Sequence, residues 1–215
     1  DVMPYYGAAY TGIYNTADQC GVCLEVTGVK GTEIIQIADQ CPTCHVNGDI
    51  DLSQAAFDKI VGAQSIGASP ISWFEVACPW GNTPISVQTQ GSNEWYGKVI
   101  IFKHINRIKK VEFYTAGNWV ALTRTADNGW AGSLDGVAKH NVRVTDIFDE
   151  QVTVADVDFT AGSGNAVFAG TSNFTPCLTT SLADIEKNRS VTFYPNPANN
   201  QVVFDDVKGV NKIEI

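Results

Sequence analysis

Three carboxylates stand close together in the sequence: Asp39, Asp49 and Asp51. Asp39 follows an apolar stretch, Glu33 to Ala38, that reads as a strand. Asp51 stands just ahead of a helix-forming run over about 53–61 that closes at Gly62. A Cys-bounded turn, Cys41-Pro-Thr-Cys44, lies between them. Asp39 and Asp51 therefore sit at the two mouths of one loop, where their side chains can converge on a substrate. Chemistry on a sugar needs carboxylates held this way, one to give a proton or both to grip hydroxyls. Asp51 or Ser53 can also cap the helix, whose first N–H groups lack partners. Asp49 and the lone His45 read as loop residues.

Six cysteines are present, and Cys20-x-x-Cys23 with Cys41-x-x-Cys44 fits a zinc-ribbon spacing. Context argues against metal: Cys23 opens an alternating strand, Cys-Leu-Glu-Val-Thr, and Cys78 follows another, Ser72 to Ala77. We expect no metal and no cofactor. The 215 residues suffice for one or two domains with real cores. Apolar residues make up 44% and charged residues only 17%, a balance that suits a β-rich secreted protein. The chain lacks an apolar run long enough to span a membrane. Its net charge of −9 argues against nucleic acid or anionic lipid as partners. Residues 1–80 carry nine acids and two bases, so the acidity belongs to the region with the paired carboxylates.

The elements that must position these groups are short strands. They are expected at about 22–27, 33–38 and 71–77, with Gly28 to Gly31 as a hairpin turn. Residues 1–19 read as loop and turn, partly helical near the start. Tyr5, Tyr6, Tyr10 and Tyr14 in that stretch either line a groove or cover the core. Pro79 to Pro84 is a linker with breakers at both ends. Strands follow at 85–90, 95–104, 107–115, 118–124, 129–133, 140–147 and 151–156, evenly spaced and punctuated by turn residues, which reads as an antiparallel sandwich. Trp95 and Tyr96 are adjacent rings at a strand start and are hard to bury together. Phe102, Phe113 and Trp119 alternate as core residues would. Lys103, His104, Arg107, Lys109 and Lys110 read as a solvated edge.

The segment DQCPTC…DIDLSQAAFDKI, Asp39 to Ile60, resembles the active-groove segment of expansins and their microbial relatives. The resemblance implies a mainly β protein, with a six-stranded double-psi β-barrel over 1–80 whose first strand precedes Asp1. It aligns Asp51 with the groove carboxylate that donates a proton in related hydrolases, and Asp39 with the second groove carboxylate. It implies disulfides Cys23–Cys78 and Cys41–Cys44, and leaves Cys20 and Cys177 without obvious mates. SNEWYGKVIIF, VEFYTAGNWVAL and VRVTDIFDE resemble a family-63 carbohydrate-binding module, an immunoglobulin-like β-sandwich over 81–177. Trp95 and Tyr96 match its flat cellulose platform. The third platform aromatic falls near Asp127, leaving Trp130 as a candidate substitute. After a linker over 178–190, Val191 to Val203 with Tyr194-Pro-Asn-Pro resembles the opening of a type IX secretion C-terminal sorting domain over 191–215. That implies the type IX secretion machinery as a partner and an extracellular destination.

The resemblance points to non-hydrolytic loosening of cellulosic walls by a monomer that binds cellulose and matrix polysaccharides. Three alternatives stay open on the same residues. They are an inverting β-1,4-endoglucanase with Asp51 as acid, a peptidoglycan lytic transglycosylase, and a non-catalytic carbohydrate-binding protein.

Overall fold

The computed structural model describes residues 3–15, 17–44 and 48–176, and the backbone of two short strands, Phe193–Tyr194 and Val203–Phe204. The chain divides into two compact units, Asp1–Cys177 and Leu178–Ile215. In the second unit the two short strands pair antiparallel. His45, Cys177, the linker over 178–190 and the Pro-Asn-Pro part of the sorting-like segment lie outside the described residues.

Five strands form the first sheet: β1 (Tyr6–Tyr10), β2 (Cys23–Thr27), β3 (Thr32–Cys41), β4 (Ile50–Leu52) and β5 (Ser72–Val76). Their order is β4-β1-β3-β2-β5, with β1 parallel to β3 and the other pairs antiparallel. Leu24 and Val26 of β2 and Ile35 and Ile37 of β3 are fully buried, as the alternation of a half-buried strand requires. Helix α2 (Gln54–Ile60) closes this core with Ala56 and Ile60.

Strand β1 departs from the loop expected over residues 1–19. Tyr-Gly-Ala-Ala-Tyr lacks β-branched residues, and its pairing partners lie about 30 and 45 residues away. Tertiary pairing overrides the weak local propensity here. Smallness is required: a Cβ on Gly7 would stand 2.9 Å from the Asp51 carbonyl oxygen and 2.9 Å from Ile50 Cγ2. One helical turn, α1 (Thr11–Tyr14), follows. Tyr14 is buried in the core and Tyr5 packs against it, whereas Tyr6 is exposed.

Residues 86–169 form two further sheets. One has the order β10-β11-β7-β6-β14, from β6 (Ser86–Thr89), β7 (Tyr96–Phe102), β10 (Thr123–Arg124), β11 (Trp130–Ser133) and β14 (Val167–Ala169). The other has the order β13-β12-β8-β9, from β8 (Ile108–Thr115), β9 (Asn118–Ala121), β12 (Lys139–Asp146) and β13 (Gln151–Asp158). Val87, Val99 and Ile101 of the first sheet share one buried cluster with Val111, Phe113, Val142, Val144, Val154 and Val157 of the second. The two sheets therefore face each other across a common core.

The expected solvated edge over 103–110 is in part an internal seam. His104 is buried against Gly21: a Cβ added there would stand 2.3 Å from the imidazole Nε2. Arg107 ion-pairs with Glu75 of β5 and, at 3.0 Å, with Asp18. Asp18 also holds Arg124 at 3.3 Å, and the Cys78 N–H donates to the Ile105 carbonyl at 2.8 Å. Charge periodicity alone cannot show that acids on the first sheet and its loops will neutralise these bases. Lys109 does pair at the surface, with Asp149, whereas Lys110 reaches from the surface to the buried Glu112.

The buried imidazole has a consequence for pH. Burial pulls the His104 pKa down from 6.5 to about 4, and its Nδ1–H donates to the Asn106 carbonyl at 2.8 Å. The folded protein thus binds fewer protons here than the unfolded chain between those two values. Stability is full above pH 6.5 and is lost as pH falls toward 4, by on the order of 3 kcal/mol. Thermal unfolding followed from pH 7 to pH 4 should show this loss. His104→Asn, which keeps a donor for Asn106 but cannot take up a proton, should flatten the slope in that window.

Candidate functional site

Strand β1 runs between β3 and β4, and Ala8 is paired with Asp39 on one side and with Asp51 on the other. The two carboxylates therefore stand in one row across three strands, with small Ala8 between them. Paired residues on adjacent strands project to the same face, and both carboxylates are exposed. Two interstrand spacings separate their backbones by about 9–10 Å.

Asp39 owes this orientation to an irregularity. Alternation from Ile35 and Ile37, both buried, would point Asp39 inward. The register shifts by one residue between the Gly7–Ile37 and Ala8–Asp39 pairs, so that β3 carries Ala38 as an extra residue. Such a bulge reverses the facing of everything beyond it. The Asp39 carboxylate then accepts the Gln40 N–H at 2.7 Å, and Gln40 is held by the Thr11 hydroxyl at 2.9 Å. Tyr6 and Tyr10 flank Ala8 at alternate positions of β1 and so project to the same face as the carboxylates. Ser53 stands at the N-cap position just before α2 but makes no side-chain cap; instead its N–H donates to the Tyr6 carbonyl at 2.8 Å, tying helix entry to β1.

Among the described residues, strand β4 is one of the two edges of this sheet, and an open cleft of about 330 Å³ runs along it. Its walls include Asp49, Asp51, Thr43, Phe57, Ser69 and Ile71. The Trp73 indole N–H donates to the Gly48 carbonyl at 2.8 Å and steadies the approach to β4.

Disulfides join Cys23 to Cys78 and Cys41 to Cys44. The first ties β2 to the chain just beyond β5; the second closes the turn after β3. The zinc-ribbon alternative is displaced, because Cys23 is bonded to Cys78. Among the described residues Cys20 is the free cysteine, with burial raising its pKa, and no group of three or more candidate ligands is placed to hold a metal.

Trp95 and Tyr96 are both exposed, at 63% and 43%. Asn93 makes this arrangement: its side-chain oxygen accepts the N–H groups of Trp95 (2.8 Å) and Tyr96 (3.0 Å), holding Trp95 on a turn just before β7 begins. The Trp95 ring rests on Gly136, where any Cβ would stand 2.6 Å from the indole. Two residues along β7 from Tyr96, on the same face, Lys98 pairs with Asp127 at 2.5 Å. Bonds from Lys98 and the Thr125 hydroxyl hold the Asp127 carboxyl down to about 2.

Trp130, the candidate third ring, does not belong to this surface. It is opposite Val99 in the β11–β7 register, which turns it inward, and it is only 6% exposed. Its neighbours are core residues, with the Arg124 guanidinium 5.1 Å from its ring. A lone Trp in an alternating strand does not reveal its face until the pairing register is known.

No family model matches the chain. Expansin-YoaJ of Bacillus subtilis is 31% identical over 128 residues, covering 59% of this chain and 54% of that protein. Expansin-like protein 3 of Dictyostelium discoideum is 27% identical over 198 residues, 88% of this chain and 56% of that one. Among solved structures, an Asp-to-Asn variant of Clavibacter michiganensis expansin in complex with cellohexaose is 33% identical, with a TM-score of 0.72. That match covers 80% of this chain and 84% of the other. The described elements thus define a mainly β protein with the expansin architecture. The chain belongs to the expansin family. It spans about half the length of the curated relatives it matches.

Proposed function

We propose that this protein loosens cellulosic walls by binding glucan chains without cutting them. Residues 1–80 act as a double-psi barrel module and 81–177 as an immunoglobulin-like, family-63-type binding sandwich. The observation that carries the reading is the Asp39–Ala8–Asp51 row: two exposed carboxylates flank a shallow floor, with Tyr6 and Tyr10 along it. A glucan lying over Ala8 offers hydroxyls to a carboxylate on each side, and charge-assisted hydrogen bonds of this kind compete with those between neighbouring chains. Trp95 and Tyr96 supply a flat apolar surface for the C–H faces of the sugar rings. The crystallised Clavibacter expansin holds cellohexaose, a ligand of the same chemistry. With nine acids against two bases in residues 1–80, attraction to acidic polysaccharide is weak, so neutral glucans are the preferred partners. The Tyr194-Pro-Asn-Pro segment supports export by the type IX route to the cell exterior, where the protein acts as a monomer.

Asp51→Asn should abolish weakening of cellulose paper while cellulose pull-down stays at the wild-type level, because the rings are untouched. Weakening that survives this substitution would sink the groove reading. A second reading rests on the separation of the two strands that carry the carboxylates. Inverting glycosidases keep their carboxyl groups roughly 6.5–9.5 Å apart, a range the row approaches. Reducing sugar released from soluble β-1,4-glucan in step with weakening would favour that endoglucanase reading.

A further inference from the structure

The carboxylate row and the Trp95–Tyr96 pair belong to different sheets, and one guanidinium touches the supports of both. We infer that Arg124 is a positioning residue: it fixes the aromatic pair relative to the groove, so that a chain gripped at one site is loaded at the other. This rests on the loosening reading above and adds the residue that couples its two sites.

The first argument is the pair of contacts. Arg124 ends β10, at the edge of the sheet that carries Tyr96. Toward its own sheet, Nε and Nη2 both donate to the Asn128 side-chain oxygen, at 3.2 and 2.7 Å. Asn128 lies in the turn between β10 and β11, next to Asp127, whose carboxylate holds Lys98 two residues along from Tyr96. Toward the first sheet, Nη1 donates to Asp18 at 3.3 Å. Asp18 stands in the loop after α1, and α1 follows directly on β1, the strand of Tyr6, Ala8 and Tyr10. A rigid fork with donors on three nitrogens can hold both partners at once; a single ammonium cannot.

The second argument is burial. The Arg124 side chain is only 12% exposed, and a guanidinium so placed is costly without its carboxylate. Its position therefore depends on Asp18 being against it. A cleft of about 210 Å³ lies beside this contact. One wall includes Ala38, the extra residue that turns Asp39 outward, and the other includes Asp127 and Asn128. Space of this kind gives the aromatic side room to shift against the groove, and the Asp18–Arg124–Asn128 contact opposes that shift.

The third argument is a division of labour. The second oxygen of Asp18 holds Arg107 at 3.0 Å, and Arg107 also pairs with Glu75 of β5. Those bonds, the packing of His104 on Gly21 and the Cys78–Ile105 hydrogen bond keep the seam closed when Arg124 is replaced. Arg107 stands just before β8 and serves the seam; Arg124 serves the turn beside the aromatic pair.

The test sets Arg124→Gln, Arg124→Lys and Arg107→Gln against wild type in cellulose pull-down, calorimetric titration with cellohexaose, thermal unfolding and weakening of cellulose paper at equal bound protein. Arg124→Gln should keep wild-type pull-down and cellohexaose affinity yet lose paper weakening by about tenfold or more, since small misplacements of groups that act together are that costly. Arg124→Lys keeps the charge that Asp18 needs but cannot also hold Asn128, so it should lose weakening as well; it keeps the test decisive where the glutamine variant fails to fold. Arg107→Gln should lower the thermal midpoint but retain weakening. Weakening that survives in either Arg124 variant, an equal loss in Arg107→Gln, or a fall in pull-down or cellohexaose affinity in a folded Arg124 variant would overturn the coupling role. Wild type that binds cellulose but does not weaken paper would remove the loosening reading itself, and the coupling role with it.

Discussion

Replacing both Trp95 and Tyr96 by Ala should cut cellulose binding by about 100-fold or more. Each ring is worth roughly 1–3 kcal/mol if sugar stacking resembles base stacking on aromatic side chains, and each 1.4 kcal/mol is tenfold. Fold disruption will not confound the result, since neither ring belongs to the buried core and the turn beneath them is built by Asn93. Pull-down on microcrystalline cellulose reads the effect directly, and undiminished binding would remove the platform assignment. Trp130→Phe supplies the contrast. Because Trp130 is buried beside Val99, it should lower stability without changing the affinity of the folded protein.

Removing the Cys23–Cys78 disulfide should cost about 4 kcal/mol on the chain-entropy model for a loop closed over 55 residues. Cys41–Cys44 spans only three positions and on the same model is worth about 1.5 kcal/mol. Cys23→Ala with Cys78→Ala, set against Cys41→Ala with Cys44→Ala in urea unfolding, should reproduce that order. An equal cost for the two would show that loop closure is not what the longer bridge contributes. The longer bridge also stands beside the seam, where Cys78 is hydrogen-bonded to Ile105. Its loss should therefore loosen the contact between Arg107, Glu75 and Asp18.

Much of the architecture was legible in the residues. Short alternating strands with turn residues between them read correctly because period-2 burial is a local pattern. β7, β8, β12 and β13 fall close to the expected ranges. α2 was legible because Ala56 and Ile60 repeat at helical spacing ahead of Gly62. The exposure of Trp95 and Tyr96 follows from two bulky rings standing side by side at a strand start. β1, β4 and β14 were not legible, being short or rich in small residues and existing through their partners. His104 and Arg107 were misread for a related reason: a basic run in a strand turn looks solvated until Gly21 is packed on the imidazole and Glu75 and Asp18 are brought against the guanidinium.

The sequence by itself determined which groups were available: two carboxylates near one Cys-bounded turn, an aromatic pair beside Asn93, and cysteines placed at strand ends. These are properties of residue type and short-range spacing, and they survive whatever the rest of the chain does. The tertiary structure alone decided which way the groups face. A one-residue shift between β1 and β3 turned Asp39 outward into line with Asp51, and the β11–β7 register turned Trp130 inward. Facing in a sheet has period two, so one added residue or one pairing choice reverses it. Such choices are made by partners far away in the chain.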